Sequence, residues 1–102
     1  VARAARPRIK EADVRKQVVD YLRITGWFVY HNLQGLGCYP GLSDIVAVKN
    51  GKVVHIELKA PGGKQRKDQI MFQENLEAAG GIYVLADCVE DVMHLNKDGP
   101  GR

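Results

Sequence analysis

The dipeptide Asn50-Gly51, set between DIVAVK and KVVHIELK, constrains the fold of this chain more than any other pair of residues. A two-residue type I′ turn needs positive φ at both central positions, and Asn-Gly between β-branched runs is its strongest local signature. The turn sets a register in which Lys49 faces Lys52, and counting outward puts Asp44 directly across from Glu57. Neighbouring Cβ atoms in such a pair lie roughly 5 Å apart. Side chains two apart on a strand share a face, so Lys59 projects on the same side as Glu57. Two acids and a lysine therefore converge at the open end of one hairpin.

Like charges at that spacing repel, which works against stability. A divalent cation relieves the repulsion, because a few carboxylate oxygens, with other positions left to water and phosphate, are the ligands Mg²⁺ favours. A lysine beside them suits orienting or deprotonating a water, or neutralising charge at phosphorus. The same residues are equally compatible with a solvated hairpin end, where Asp44 merely starts the strand and Lys59 screens Glu57.

A chain of 102 residues holds one domain and one core. Its hydrophobic share of 45% and charged share of 26% are those of a soluble globular protein. The net charge of +3 suits an anionic partner without specifying one. Cys38 and Cys88 lack paired-ligand spacing and the histidines are scattered, which disfavours zinc and fits a reduced, cytoplasmic setting. No apolar run approaches the roughly 20 residues of a membrane span. The segment VARAARPRIK lacks the apolar centre of a signal peptide.

Residues 1–8 read as a basic arm, 9–95 as the folded domain and 96–102 as a frayed tail. Helical periodicity over Ile9 to Thr25 places Val14, Val18, Tyr21 and Leu22 on one face. Glu11 falls on the same stripe, either reaching inward or complementing the helix N-terminus. Trp27 to His31 reads as a strand, followed by the glycine-rich loop Asn32 to Ser43. There Asn32 and Gln34 are candidates for phosphate or sugar contacts, and Tyr39 either stacks on a base or anchors the loop. His55 reads as a packed or hydrogen-bonded histidine rather than a ligand.

After the hairpin, Lys64, Arg66 and Lys67 form a basic cluster that suits phosphate contact or simple solvation. A second helix over Asp68 to Ala79 turns Phe72, Leu76 and Ala79 inward. Gln69 shares that stripe, aimed at a polar pocket or at its own helix end. Ile82 to Ala86 reads as a buried parallel strand, and Asp87 with Glu90 has capping-box spacing for a last short helix. A mixed α/β sheet of four strands flanked by helices follows.

Glu11, the Gly41-x-x-Asp44 opening, Ile56-Glu57-Leu58-Lys59, and Gln69 ahead of Leu76 to Gly81 together resemble the PD-(D/E)XK nuclease superfamily. In particular the chain is similar to stand-alone VRR-NUC domains of phage and bacterial type, from about Glu11 to Val92. The resemblance implies a restriction-endonuclease-like αβββαβ core. It implies that Asp44, Glu57 and the Leu58 carbonyl bind Mg²⁺ or Mn²⁺, with Glu11 as a further ligand. Lys59 would activate the attacking water, and Glu11 and Gln69 would complete the catalytic group. A homodimer acting on branched or four-way-junction DNA, like a Holliday junction resolvase, is implied too, with no small-molecule cofactor. A module that binds DNA structure without cutting it is the alternative. One departure is Ser43, where the family usually has proline before the metal-binding Asp.

Overall fold

The computed structural model describes residues 8–97, so most of the arm at 1–8 and the end of the tail at 96–102 lie outside the described residues. Helix α1 (Glu11–Ile24) forms because Val14, Val18, Val19 and Leu22 recur at helical spacing and are all buried. At its start the Lys10 N–H donates to the Asp13 carboxylate at 2.9 Å. It ends as Gly26, at φ +97°, turns the chain and the Trp27 N–H donates to the Leu22 carbonyl at 2.9 Å.

The sheet has the order β1 (Phe28–His31), β2 (Ile45–Lys49), β3 (Lys52–Leu58), β4 (Ile82–Ala86). The first three are antiparallel neighbours, and β4 runs parallel to β3 because helix α2 (Lys67–Ala78) makes the crossover. Asn50 and Gly51 sit at φ +51° and +80°, as a type I′ turn requires, and Lys49 pairs with Lys52 and Ile45 with Ile56 in the expected register. This is the α/β mixed sheet with flanking helices that the sequence predicts.

One sheet face carries the apolar core: Ile45, Ala47, Val54, Ile56 and Leu58 are inaccessible to solvent and belong to one cluster with α1, Val92 and Leu95. The opposite face, with Val46, His55, Glu57 and Tyr83, is partly covered by α2 through Phe72. Here the expected packing of α2 needs correction. Phe72 and Leu76 are only half-buried, Ala79 is exposed, and Gln69 is the helix's buried residue. The helix packs chiefly on the edge strand β4, so its last turn runs clear of the sheet centre.

Two further expectations change near the C-terminus. The last helix, α3 (Glu90–Met93), starts too late for Asp87 to cap it with Glu90. Instead the Asp91 carboxylate accepts the Asp87 N–H at 3.0 Å. Asn96, placed at the start of a frayed tail, is tied down: its side chain accepts from Trp27 Nε1 at 2.8 Å and donates to Tyr21 Oη at 3.0 Å and Thr25 Oγ1 at 3.1 Å.

Candidate functional site

Asp44 stands one residue before β2 and extends the hairpin pairing, its N–H donating to the Ile56 carbonyl at 3.1 Å. Its Oδ2 accepts the Leu58 N–H at 2.8 Å, which locks the carboxylate against the end of β3. Glu57, across from it, is almost wholly buried at 2% exposure. One carboxylate oxygen, Oε2, accepts from Gln69 Nε2 at 2.5 Å and faces Lys59 Nζ at 3.7 Å. The other, Oε1, is buried with no hydrogen-bond partner among the described residues. Asp44 lies within hydrogen-bonding reach of Glu57, so a proton held by Glu57 is shared with the Asp44 carboxylate, and ionising both leaves the pair without one. Burial first, and the Asp44 charge second, push the Glu57 carboxyl up to about 8, against the opposing pull of the Lys59 ammonium.

A buried carboxylate oxygen without a donor, facing a second carboxylate, is costly unless a proton or a cation completes it, and the raised Glu57 carboxyl shows that cost. The donor set fits a hard divalent cation: oxygen atoms from Asp44 and Glu57, with the Leu58 peptide fixed between Glu57 and Lys59 at the strand end.

The structure sorts the other expected site residues. Gln69 fills both roles read for it: Oε1 accepts the Arg66 N–H at 2.8 Å, capping α2, while Nε2 holds Glu57. Glu11 does not turn inward; its side chain is 46% exposed, because the apolar stripe of α1 begins at Val14 and the first turn projects past the core. Arg15 links it to the acid pair, with its Nη2 3.5 Å from Glu11 and 3.8 Å from Asp44.

Asn32 and Gln34 are spent on the loop itself. The Asn32 amide donates to Ser43 O at 2.9 Å and Ser43 Oγ at 3.3 Å, and the Gln34 amide to Leu42 O at 3.1 Å and Ser43 O at 3.0 Å. An NH₂ group has two donors, so neither has one left for phosphate while the loop holds this shape. Tyr39 meets Phe72 edge-on at 5.9 Å, which anchors the loop on α2. Lys64, Arg66 and Lys67 are exposed, with Arg66 paired to Asp68 at 3.3 Å.

Sequence reasoning missed three contributors. Arg15 stands 3.8 Å from Asp44, and its i,i+4 spacing from Glu11 was the available signal. Gln65 donates to Tyr83 Oη at 3.2 Å below the site, where burial pushes the phenol up to about 12. Ser43 is buried and shares a 2.9 Å hydrogen bond with His55 Nδ1, a link that a proline at this position could not make. Burial also lowers the pKa of His55. Away from this site, ligand atoms of Asp87, Cys88 and Asp91 lie within 4.8 Å of one another, although burial raises the Cys88 thiol and so disfavours the thiolate a metal needs.

A four-stranded mixed sheet between helices, with an acid pair and a lysine at the end of its central hairpin, has the form of a restriction-endonuclease-like core. The chain is 30% identical, over 83 residues covering 78% of its length and 84% of the relative's, to the protein named "Putative nuclease p44" of Acyrthosiphon pisum secondary endosymbiont phage 1. It belongs to the family of that phage protein. No protein-family model matches the chain. Among the described residues no helix is long and apolar enough to cross a membrane.

Proposed function

We propose that the protein is a Mg²⁺- or Mn²⁺-dependent endonuclease that hydrolyses phosphodiester bonds in branched DNA, four-way junctions above all, as a cytoplasmic homodimer. The observation that carries this reading is Glu57 Oε1, a buried carboxylate oxygen with no donor beside a second carboxylate. The phage relative's name as a nuclease supports a nucleic-acid substrate.

When bound, the cation supplies Lewis-acid polarisation of the phosphoryl group and lowers the pKa of a coordinated water. Asp44 and Glu57, with the Leu58 carbonyl, are the groups that would hold it. Gln69 keeps the Glu57 carboxylate turned toward Asp44, and the Leu58 N–H keeps Asp44 in place. Lys59, 3.7 Å from Glu57, orients the attacking water and offsets negative charge that builds on the phosphoryl oxygens. Glu11 acts at the rim through Arg15. A two-fold dimer would present two such sites to a two-fold junction.

The test is a panel of four-way, flap and linear DNA incubated with Mg²⁺, Mn²⁺ or chelator, alongside a measurement of solution mass. Cleavage that requires metal and is fastest on the four-way junction, by a protein of twice the chain mass, is expected. Junction binding without cleavage would instead identify a non-catalytic DNA-binding module, and absence of DNA binding would remove both readings.

A further inference from the structure

The loop between β1 and β2 presents two leucines to water: Leu33 is 89% exposed and Leu36 fully so, at 108%. Their exposure does not come from a loose backbone. The Asn32 N–H donates to Asp44 O at 2.9 Å, the Asn32 and Gln34 amides tie back to Leu42 and Ser43, and the Cys38 N–H closes on Gly35 O at 3.1 Å. Gly41, at φ +78°, lies so close to α2 that an added Cβ would stand 2.0 Å from the Asp68 carbonyl oxygen. The loop is thus fixed at both ends with its apolar side chains pointing outward.

Two observations bear on what these leucines meet. Leu33 follows Asn32, whose N–H pairs with the Asp44 carbonyl, so the loop leaves the sheet beside the end of the hairpin that carries the acid pair. Gly41, at the far end of the loop, packs on Asp68 in the first turn of α2. That stretch also carries the exposed cations Lys64 and Lys67, with Arg66 paired to Asp68, so charge suited to phosphates lies at that end of the loop. An apolar wedge beside a phosphate-binding stretch fits a base step of DNA better than it fits a protein surface, because leucines inserted between bases unstack them while neighbouring cations grip the backbone.

We propose that Leu33 and Leu36 insert into an unstacked base step of the bound DNA, and that this insertion makes the protein select branched over continuous duplex. The proposal rests on the nuclease reading above. A branch point already has interrupted stacking, so insertion there costs less than in an intact duplex.

The test uses the full chain carrying Asp44→Asn to prevent cutting, with or without Leu33→Ala and Leu36→Ala. Its probes are a four-way junction with 2-aminopurine at the branch point and a linear duplex with the same base. Anisotropy reports binding and 2-aminopurine emission reports unstacking. A several-fold rise in emission on junction binding, lost when both leucines are replaced while binding is still seen, is the expected result; Leu36→Phe alone should keep the rise. Binding without any rise, or a rise that persists without the leucines, overturns the wedge and leaves the nuclease reading intact. A leucine-dependent change in solution mass with unchanged emission overturns it in favour of a contact between protein chains. No DNA binding by either protein overturns both readings.

Discussion

Gln69 donates through Nε2 to Glu57 Oε2 at 2.5 Å, and the same amide's oxygen accepts the Arg66 N–H that opens α2. One side chain thereby couples the start of a helix to the orientation of the buried acid, leaving Oε1 as the oxygen turned free. Removing it should damage the site more than the fold. Gln69→Ala loses a cap and a charge-assisted hydrogen bond, a cost of about 2 kcal/mol. Loss of an orienting partner to a metal-binding carboxylate lowers affinity or activity by roughly 10- to 100-fold. Urea unfolding and Mn²⁺ titration of the same preparation measure the two effects.

In chelator, stability should fall as pH rises through the neutral range. The Glu57 carboxyl is pushed up to about 8 in the folded chain, mainly by burial, while in the unfolded chain it ionises near the ordinary value of 4.5. Between those values the folded state holds a proton that the unfolded state has lost, so stability decreases with rising pH across that window and is level on either side. The loss is on the order of a few kcal/mol. Cation binding at mildly acid pH should release that proton. Urea unfolding at about pH 5 and about pH 8.5, repeated on Glu57→Gln, checks the slope and its source, because the amide variant lacks the titrating group.

Gly41 is the glycine whose replacement should matter most to the loop. It combines φ +78° with a backbone approach that leaves no room for a Cβ against Asp68. Gly41→Ala should cost about 2 kcal/mol or more, since it adds strain in the left-handed region and a steric clash with main chain. Gly35→Ala, also at positive φ but with nothing within 4 Å of the added carbon, should cost less, and thermal melts of the pair compare the two.

The hairpin was legible because its determinants are local. Asn50-Gly51 sets the turn, and the turn sets which residue faces which, so Asp44, Glu57 and Lys59 meet as counted. Helix periodicity served less well at its ends: it put Glu11 on the right stripe of α1 but does not say where the sheet beneath stops, and Glu11 projects beyond it. Contacts distant in sequence left no local trace. Asn96 looked like the start of a tail because nothing nearby in sequence signals its bonds to Trp27, Tyr21 and Thr25. Likewise Asn32 and Gln34 are polar residues at the right place, but whether an amide serves a ligand or its own loop is settled by the loop's path.

The most direct test of the central claim sets stability against catalysis in one variant. Glu57→Gln keeps the shape of the side chain and the partner Gln69 while removing the charge that burial and Asp44 oppose. Single-turnover cleavage of a four-way junction in Mn²⁺ should fall by about 100-fold or more, as expected when a metal-binding carboxylate is lost. The same protein, in chelator near neutral pH, should be at least as stable as the parent. A Glu57→Gln protein that folds as well as the parent and cuts the junction at the parent's rate would contradict the account.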